Sequence, residues 1–164
     1  MNNTVQFRKI TEDEFKLWKE SSVKGYADDL VNAGQCSLED ALERATADFD
    51  AIMIEGLSTP NNFIYIAENT DKEAVGLIWY ETNEEKRAFI ADFLVYSNHR
   101  GKGYGKNILN ELEVVVREQG IKYILLHVFD KNTTARELYK KVGYVELDVD
   151  GIEEGSIYMK KTLI

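Results

Sequence analysis

A chain of 164 residues, 44% hydrophobic and 30% charged, holds enough apolar material for one domain with a real core. Twenty-nine acidic against 20 basic residues give a net charge of −9, which speaks against a nucleic-acid binder with a basic face. A single cysteine, Cys36, excludes an intrachain disulfide, and no apolar run has signal-peptide or membrane-span length, so a cytoplasmic chain without a membrane partner is expected.

Residues 5–9 read as a first strand. Thr11 stands three residues before Glu14, the spacing of a capping box, and Phe15, Trp18, Tyr26 and Leu30 follow at helical intervals up to a stop at Gly34. A second start signal at residues 37–40 precedes an apolar face of Leu38, Ala41, Leu42, Ala45, Phe49 and Met53, ended by Gly56. Pro60 breaks the chain. Strands are expected over 63–68, 75–81 and 89–96, separated by polar turns, and the third is apolar enough to suggest burial on both faces. An amphipathic helix over 103–119 carries Ile108, Leu109, Leu112, Val115 and Val116 on one side. A strand over 123–129, a helix over 132–142 and closing strands over 144–149 and 156–161 complete the order. With no linker, repeat or low-complexity segment, residues 1–164 read as a single α/β domain. Its strand–helix–strand unit over 89–129 implies a parallel pair joined by a right-handed connection.

Between the strand at 89–96 and the following helix lies His-Arg-Gly-Lys-Gly-Tyr-Gly-Lys, residues 99–106. Gly101, Gly103 and Gly105 remove the Cβ atoms that would keep an anion away from successive backbone N–H groups. The helix start adds positive potential, and Arg100, Lys102 and Lys106 add cationic side chains. This chemistry suits a phosphate or pyrophosphate. A dinucleotide fingerprint needs a different glycine spacing and an acid about 20 residues on, and a Walker loop needs GxxxxGK[ST]; neither is present. Read alone, the segment is either an anion site or a mobile surface turn.

A second motif, Asn132-Thr-Thr-Ala135-Arg-Glu-Leu138-Tyr139-Lys-Lys141-Val-Gly143-Tyr144, follows at a separation of one helix and one strand. Together with Arg100, Gly103 and Gly105 it resembles the GNAT superfamily of acetyl-CoA-dependent N-acetyltransferases, with the well-matched region at about 89–144. Within that superfamily the front third looks like that of uncharacterised bacterial members. The resemblance implies a twisted, mixed six- to seven-stranded sheet flanked by helices, with central parallel strands that splay apart at a bulge. Acetyl-CoA would be the cosubstrate, its pantetheine meeting the backbone of Phe93, Leu94 and Val95. Its pyrophosphate would meet residues 100–106 (Arg100, Gly101, Lys102, Gly103, Tyr104, Gly105 and Lys106), with Asn132 as a further contact that also suits a helix N-cap.

The implied reaction is direct attack of an amine on the thioester. Tyr139 resembles the family's acid for the leaving thiolate: a phenol with a pKa of about 10 keeps its proton at neutral pH. Asp92, the only acid on the strand before the turn, is a candidate base, balanced against a structural hydrogen bond; His127 on the neighbouring strand is a second candidate. Tyr26 and Trp79 are the candidate acceptor contacts, with Asp28 and Tyr80 beside them. Each of these four also suits a core or solvated position. No His, Cys or carboxylate group has metal-site spacing, so no metal is expected. The partner would be a small-molecule or peptide amine, and the resemblance also admits a homodimer. The rival readings are a catalytically weak acyl-CoA-binding sensor or interaction module of the same fold, and a nucleotide-binding module.

Overall fold

In the computed structural model, which describes residues 3–163, seven strands form one open sheet in the order β1-β2-β3-β4-β5-β7-β6. The elements run β1 (Gln6–Lys9), α1 (Glu12–Asn32), α2 (Ala41–Ile52), β2 (Asn62–Glu68), β3 (Ala74–Thr82), β4 (Arg87–Val95), α3 (Tyr104–Glu118), β5 (Tyr123–Phe129), α4 (Thr133–Lys141), β6 (Val145–Glu146) and β7 (Ser156–Thr162). Only β4 and β5 pair in parallel; every other neighbouring pair is antiparallel. The expected mixed, helix-flanked sheet is therefore what the chain forms.

Two cores sit on opposite faces. On one, Ile108, Leu112 and Val116 of α3 and Tyr139 of α4 pack against Ile78, Tyr80, Ile90 and Ile124 of the sheet. On the other, Trp18, Leu30 and Phe49 of the helical hairpin pack on Ile66, Leu77 and Trp79. The amphipathic spacing that predicted α3 is this first interface. The hairpin departs from expectation at its second start: α2 begins at Ala41, and Leu38 and Leu42 stay exposed. The hairpin's contact face instead uses the smaller Ala41 and Ala45, which let the two helices approach.

The capping box forms as expected. Thr11 Oγ1 accepts from the Glu14 N–H, and Glu14 Oε1 accepts from the Thr11 N–H. Glu14 also receives both Nη atoms of Arg8, while Arg8 Nε reaches Glu68 at 2.6 Å, so one guanidinium ties β1 to α1 and β2. The Arg8 hydrogen bonds hold the Glu14 carboxyl down at about 2, below its ordinary 4.5. A depressed folded-state pKa stabilises the fold above about pH 4.5, and that stabilisation is lost as pH falls through 2. Urea titrations across this window are expected to show a shallower acid decline in Glu14→Gln, by about 1 kcal/mol after solvent screening of a partly exposed pair.

The functional geometry begins in β4. Trp79 faces Asp92 but Tyr80 faces Ile90, so Ala91 is an extra residue in β4, a bulge. The parallel contact with β5 runs from Arg87 opposite Tyr123 to Ile90 opposite Leu126 and stops there. Past that point β4 stays paired with β3 as far as Val95, and β5 with β7 as far as Phe129. The sheet therefore forks at the bulge. Residues 91–95, expected to be buried on both faces, are only half-buried because they border the fork. The closing strand expected over 144–149 shrinks to Val145–Glu146; the acidic loop after it turns on Gly151 and Gly155, both with positive φ.

Candidate active site

The fork and the ends of the helices above it enclose one cleft of about 1250 Å³, room for a ligand longer than most single-pocket molecules. Its floor on one side is the glycine turn. Gly101 (φ 73°) and Gly103 (φ 86°) are left-handed, and Gly103 is the N-cap of α3. The first N–H groups of a helix have no partner within it, and this helix start borders the cleft. A Cβ at Gly101 would meet nothing within 4 Å, and one at Gly103 only Asn3 Nδ2 at 3.8 Å, so backbone conformation rather than crowding selects glycine here.

The turn is held from both sides. Asn3 Nδ2 donates to the Lys102 carbonyl, and Asn107 Nδ2 donates to the Asn3 carbonyl at 2.7 Å. Arg100 Nε donates to the Val95 carbonyl at 2.9 Å, which folds that side chain against the end of β4. Arg100, Gly101, Gly103, Gly105 and Lys106 border the cleft; Lys102 does not and is exposed. Tyr104 borders it too, but its buried ring packs against His99, centroids 5.7 Å apart. Asn132 caps α4, its side chain accepting from the Ala135 N–H at 3.2 Å, and it also lines the cleft. Of the two roles expected of Asn132, the N-cap is the one the structure shows.

Phe93, Leu94 and Val95 form the open edge of β4 along the fork. Phe93 leans on Tyr139, centroids 6.2 Å apart. Tyr139 is buried on the α3–α4 side, and its hydroxyl has no hydrogen-bond partner among the described residues. Burial, then the nearby Asp92 charge, pushes that phenol above its ordinary pKa, so it stays protonated through the neutral range.

Asp92 projects to the other side. Its Oδ2 accepts from Trp18 Nε1 and Ser22 Oγ, each at 2.9 Å, and its Oδ1 from the Phe93 N–H at 2.9 Å. Burial pushes its carboxyl up, and these hydrogen bonds oppose the push. Asp29 of α1 is also raised, by burial and by the charges of Asp28 and Asp92. The hairpin side of the fork is thus carboxylate-rich. Arg44 is the cation there, and it is engaged by Asp48 and Glu153.

Tyr26 is half-buried on this wall, its hydroxyl reaching Asp48 at 3.4 Å. Trp79 borders the cleft from within an aromatic cluster with Trp18 and Phe49, and its Nε1 donates to Asn62 at 2.8 Å. Tyr80 does not belong here: it lies in the opposite core with its hydroxyl on Gln119, because neighbouring strand residues point to opposite faces. Asp28 is exposed and off the cleft. Sequence reasoning missed Ser156 and Gln35, which join His127 on the same wall; the three come from separate segments with no shared motif.

The described residues hold no grouping of three His, Cys, Asp or Glu side chains suited to a metal ion. No described helix is long and apolar enough to cross a membrane.

The sequence profile of the acetyltransferase (GNAT) family matches residues 24–144. The chain is 36% identical over 149 residues to the uncharacterized N-acetyltransferase YycN of Bacillus subtilis, covering 89% of this chain and 96% of that protein. The crystal structure of YycN superposes with a TM-score of 0.86 over 92% of this chain and 98% of that one, at 34% identity. Spermidine N-acetyltransferase from Vibrio cholerae, crystallised with CoA and spermine, shares the fold: TM-score 0.70 at 15% identity, over 98% and 96% of the two chains.

Proposed function

The chain belongs to the acetyltransferase (GNAT) family and is an N-acetyltransferase with acetyl-CoA as cosubstrate; from that premise we propose that it acetylates a primary amine by direct attack inside the fork. The observation that carries this reading is the fork itself, with a left-handed glycine turn at a helix start at one end, a protonated phenol on one face and carboxylates on the other. Acetyl-CoA supplies the activated thioester. The left-handed glycines and the start of α3 bind its pyrophosphate, aided by Arg100 and Lys106, and the edge at Phe93, Leu94 and Val95, which β5 leaves unpaired, takes the pantetheine amides as an added strand would, in exchange for the local bonds to Asp92 and Arg100. Asn132 completes that wall.

Tyr139 donates to the sulfur as the C–S bond breaks. Asp92 faces the acceptor, where its charge draws in an ammonium and steadies the positive nitrogen of the tetrahedral adduct. Tyr26 and Trp79 give the acceptor an aromatic wall. A carboxylate-rich wall whose cation is engaged favours an amine that arrives protonated. Spermidine N-acetyltransferase, which shares the fold, was crystallised with such an amine, and polyamines are accordingly the first compounds to try.

The test is amine-dependent release of free thiol from acetyl-CoA across monoamines, diamines, polyamines and peptide N-termini. Saturable release with at least one class is expected. Tight CoA binding with no amine-dependent release across the panel would instead favour an acyl-CoA sensor of the same fold.

A further inference from the structure

An amine that arrives protonated must lose a proton before it attacks, and Asp92 already accepts three hydrogen bonds. A second group stands at the fork. His127 is the first β5 residue past the last parallel pair, Ile90 opposite Leu126, and it lies on the hairpin side with Phe129. Its Nε2 is 2.8 Å from Ser156 Oγ on β7. Gln35 Nε2 is 2.6 Å from the same oxygen and also 2.9 Å from the Glu154 carbonyl. A carbonyl can only accept, so the Gln35 amide nitrogen must face this way and must donate to Ser156. The Ser156 hydroxyl then has one lone pair filled, one lone pair free and one proton to place. The imidazole nitrogen is the acceptor within reach.

We propose that His127, acting through Ser156, takes the proton from the acceptor ammonium. The inference rests on the reading that the amine attacks within the fork. The ammonium N–H passes its proton to Ser156 Oγ as the Ser156 proton passes to His127 Nε2. The freed nitrogen lone pair forms the bond to the thioester carbon. The adduct then loses its second N–H proton to solvent, which balances the proton that Tyr139 gives to the departing thiolate and later recovers. The imidazolium releases its own proton to solvent at the end of the cycle.

The surroundings suit both states of the ring. Burial holds His127 below its ordinary pKa, so it is neutral and able to accept at pH 7. The Glu153 charge pulls the other way and would balance the imidazolium once formed. The charged and titratable groups that share this part of the cleft are Tyr26, Asp29, Arg44, Asp48, Asp92, Glu153 and Tyr158, the last ring-packed on His127 with centroids 5.3 Å apart.

Imidazole ¹⁵N NMR of the wild-type protein tests the arrangement without turnover. The relay requires the proton on Nδ1 with Nε2 accepting; a proton on Nε2 overturns it. His127→Gln and Ser156→Ala are each expected to lower kcat on the order of 100-fold, with CoA affinity by calorimetry unchanged. A kcat within threefold of wild type in either variant overturns the relay, as does a rate loss matched by an equal loss of CoA affinity. If the wild-type protein acetylates no amine, the functional reading fails, while the tautomer still decides the relay.

Discussion

Tyr139→Phe is expected to lower kcat on the order of 100-fold, the usual contribution of a placed proton donor, while CoA affinity stays within a factor of about two. The split follows from where the parts of Tyr139 lie. Its ring is core, packed between Phe93 and Tyr144, and phenylalanine keeps that packing. Its hydroxyl has no partner among the described residues, so removing it orphans nothing and should leave the unfolding midpoint nearly unchanged. The pH dependence carries a sign as well. Because the phenol is raised above its ordinary 10, the loss of its proton cannot produce a fall in rate below that pH. A basic limb near neutrality that vanishes in Tyr139→Phe would contradict the assignment. Equal losses in kcat and CoA affinity would make Tyr139 a structural residue.

Gly103→Val should weaken CoA binding on the order of 100-fold, measured by calorimetry. A β-branched residue at a φ of 86° is strained by about 1–3 kcal/mol, and each 1.4 kcal/mol is tenfold in affinity. The strain falls on the residue that turns the first N–H groups of α3 toward the ligand, so relief of strain means loss of the cradle. Gly103→Asn separates conformation from bulk, because asparagine tolerates the left-handed region; it should retain most of the affinity. If valine binds CoA as glycine does, the pyrophosphate lies elsewhere.

The elements were legible where local pattern and tertiary demand agree. The spacing of Ile108, Leu112 and Val116 announced α3, and Thr11 with Glu14 announced the start of α1. The glycine turn was legible as a turn at a helix start because its signals are local, lying within residues 100–106. Strand β4 was misread for a physical reason. Apolar residues at 93–95 satisfy a burial pattern whether a neighbouring strand or a ligand covers them, and hydropathy cannot tell the two apart. The bulge at Ala91 is a relation between β3 and β4, so it has no signature in either strand alone. Alternation alone would have placed Tyr80 opposite Trp79 and out of the acceptor wall. The Gln35–Ser156–His127 chain joins segments up to 121 positions apart and becomes visible only when the sheet brings β5 and β7 together.

The extra residue in β4 does more than open a gap: it inverts odd and even. Before it, the even-numbered Ala88 and Ile90 look into the α3–α4 core; after it, the odd-numbered Phe93 and Val95 do. Unbroken alternation through the same residues, with no bulge, would swing the Asp92 position into that dry core, away from Trp18 and Ser22, while expelling the Phe93 ring from Tyr139. The strand would gain a regular ladder and lose its division of labour. The shift in parity thus keeps Asp92 beside Trp18 and Ser22 while Phe93 meets Tyr139 on the opposite face of the same strand.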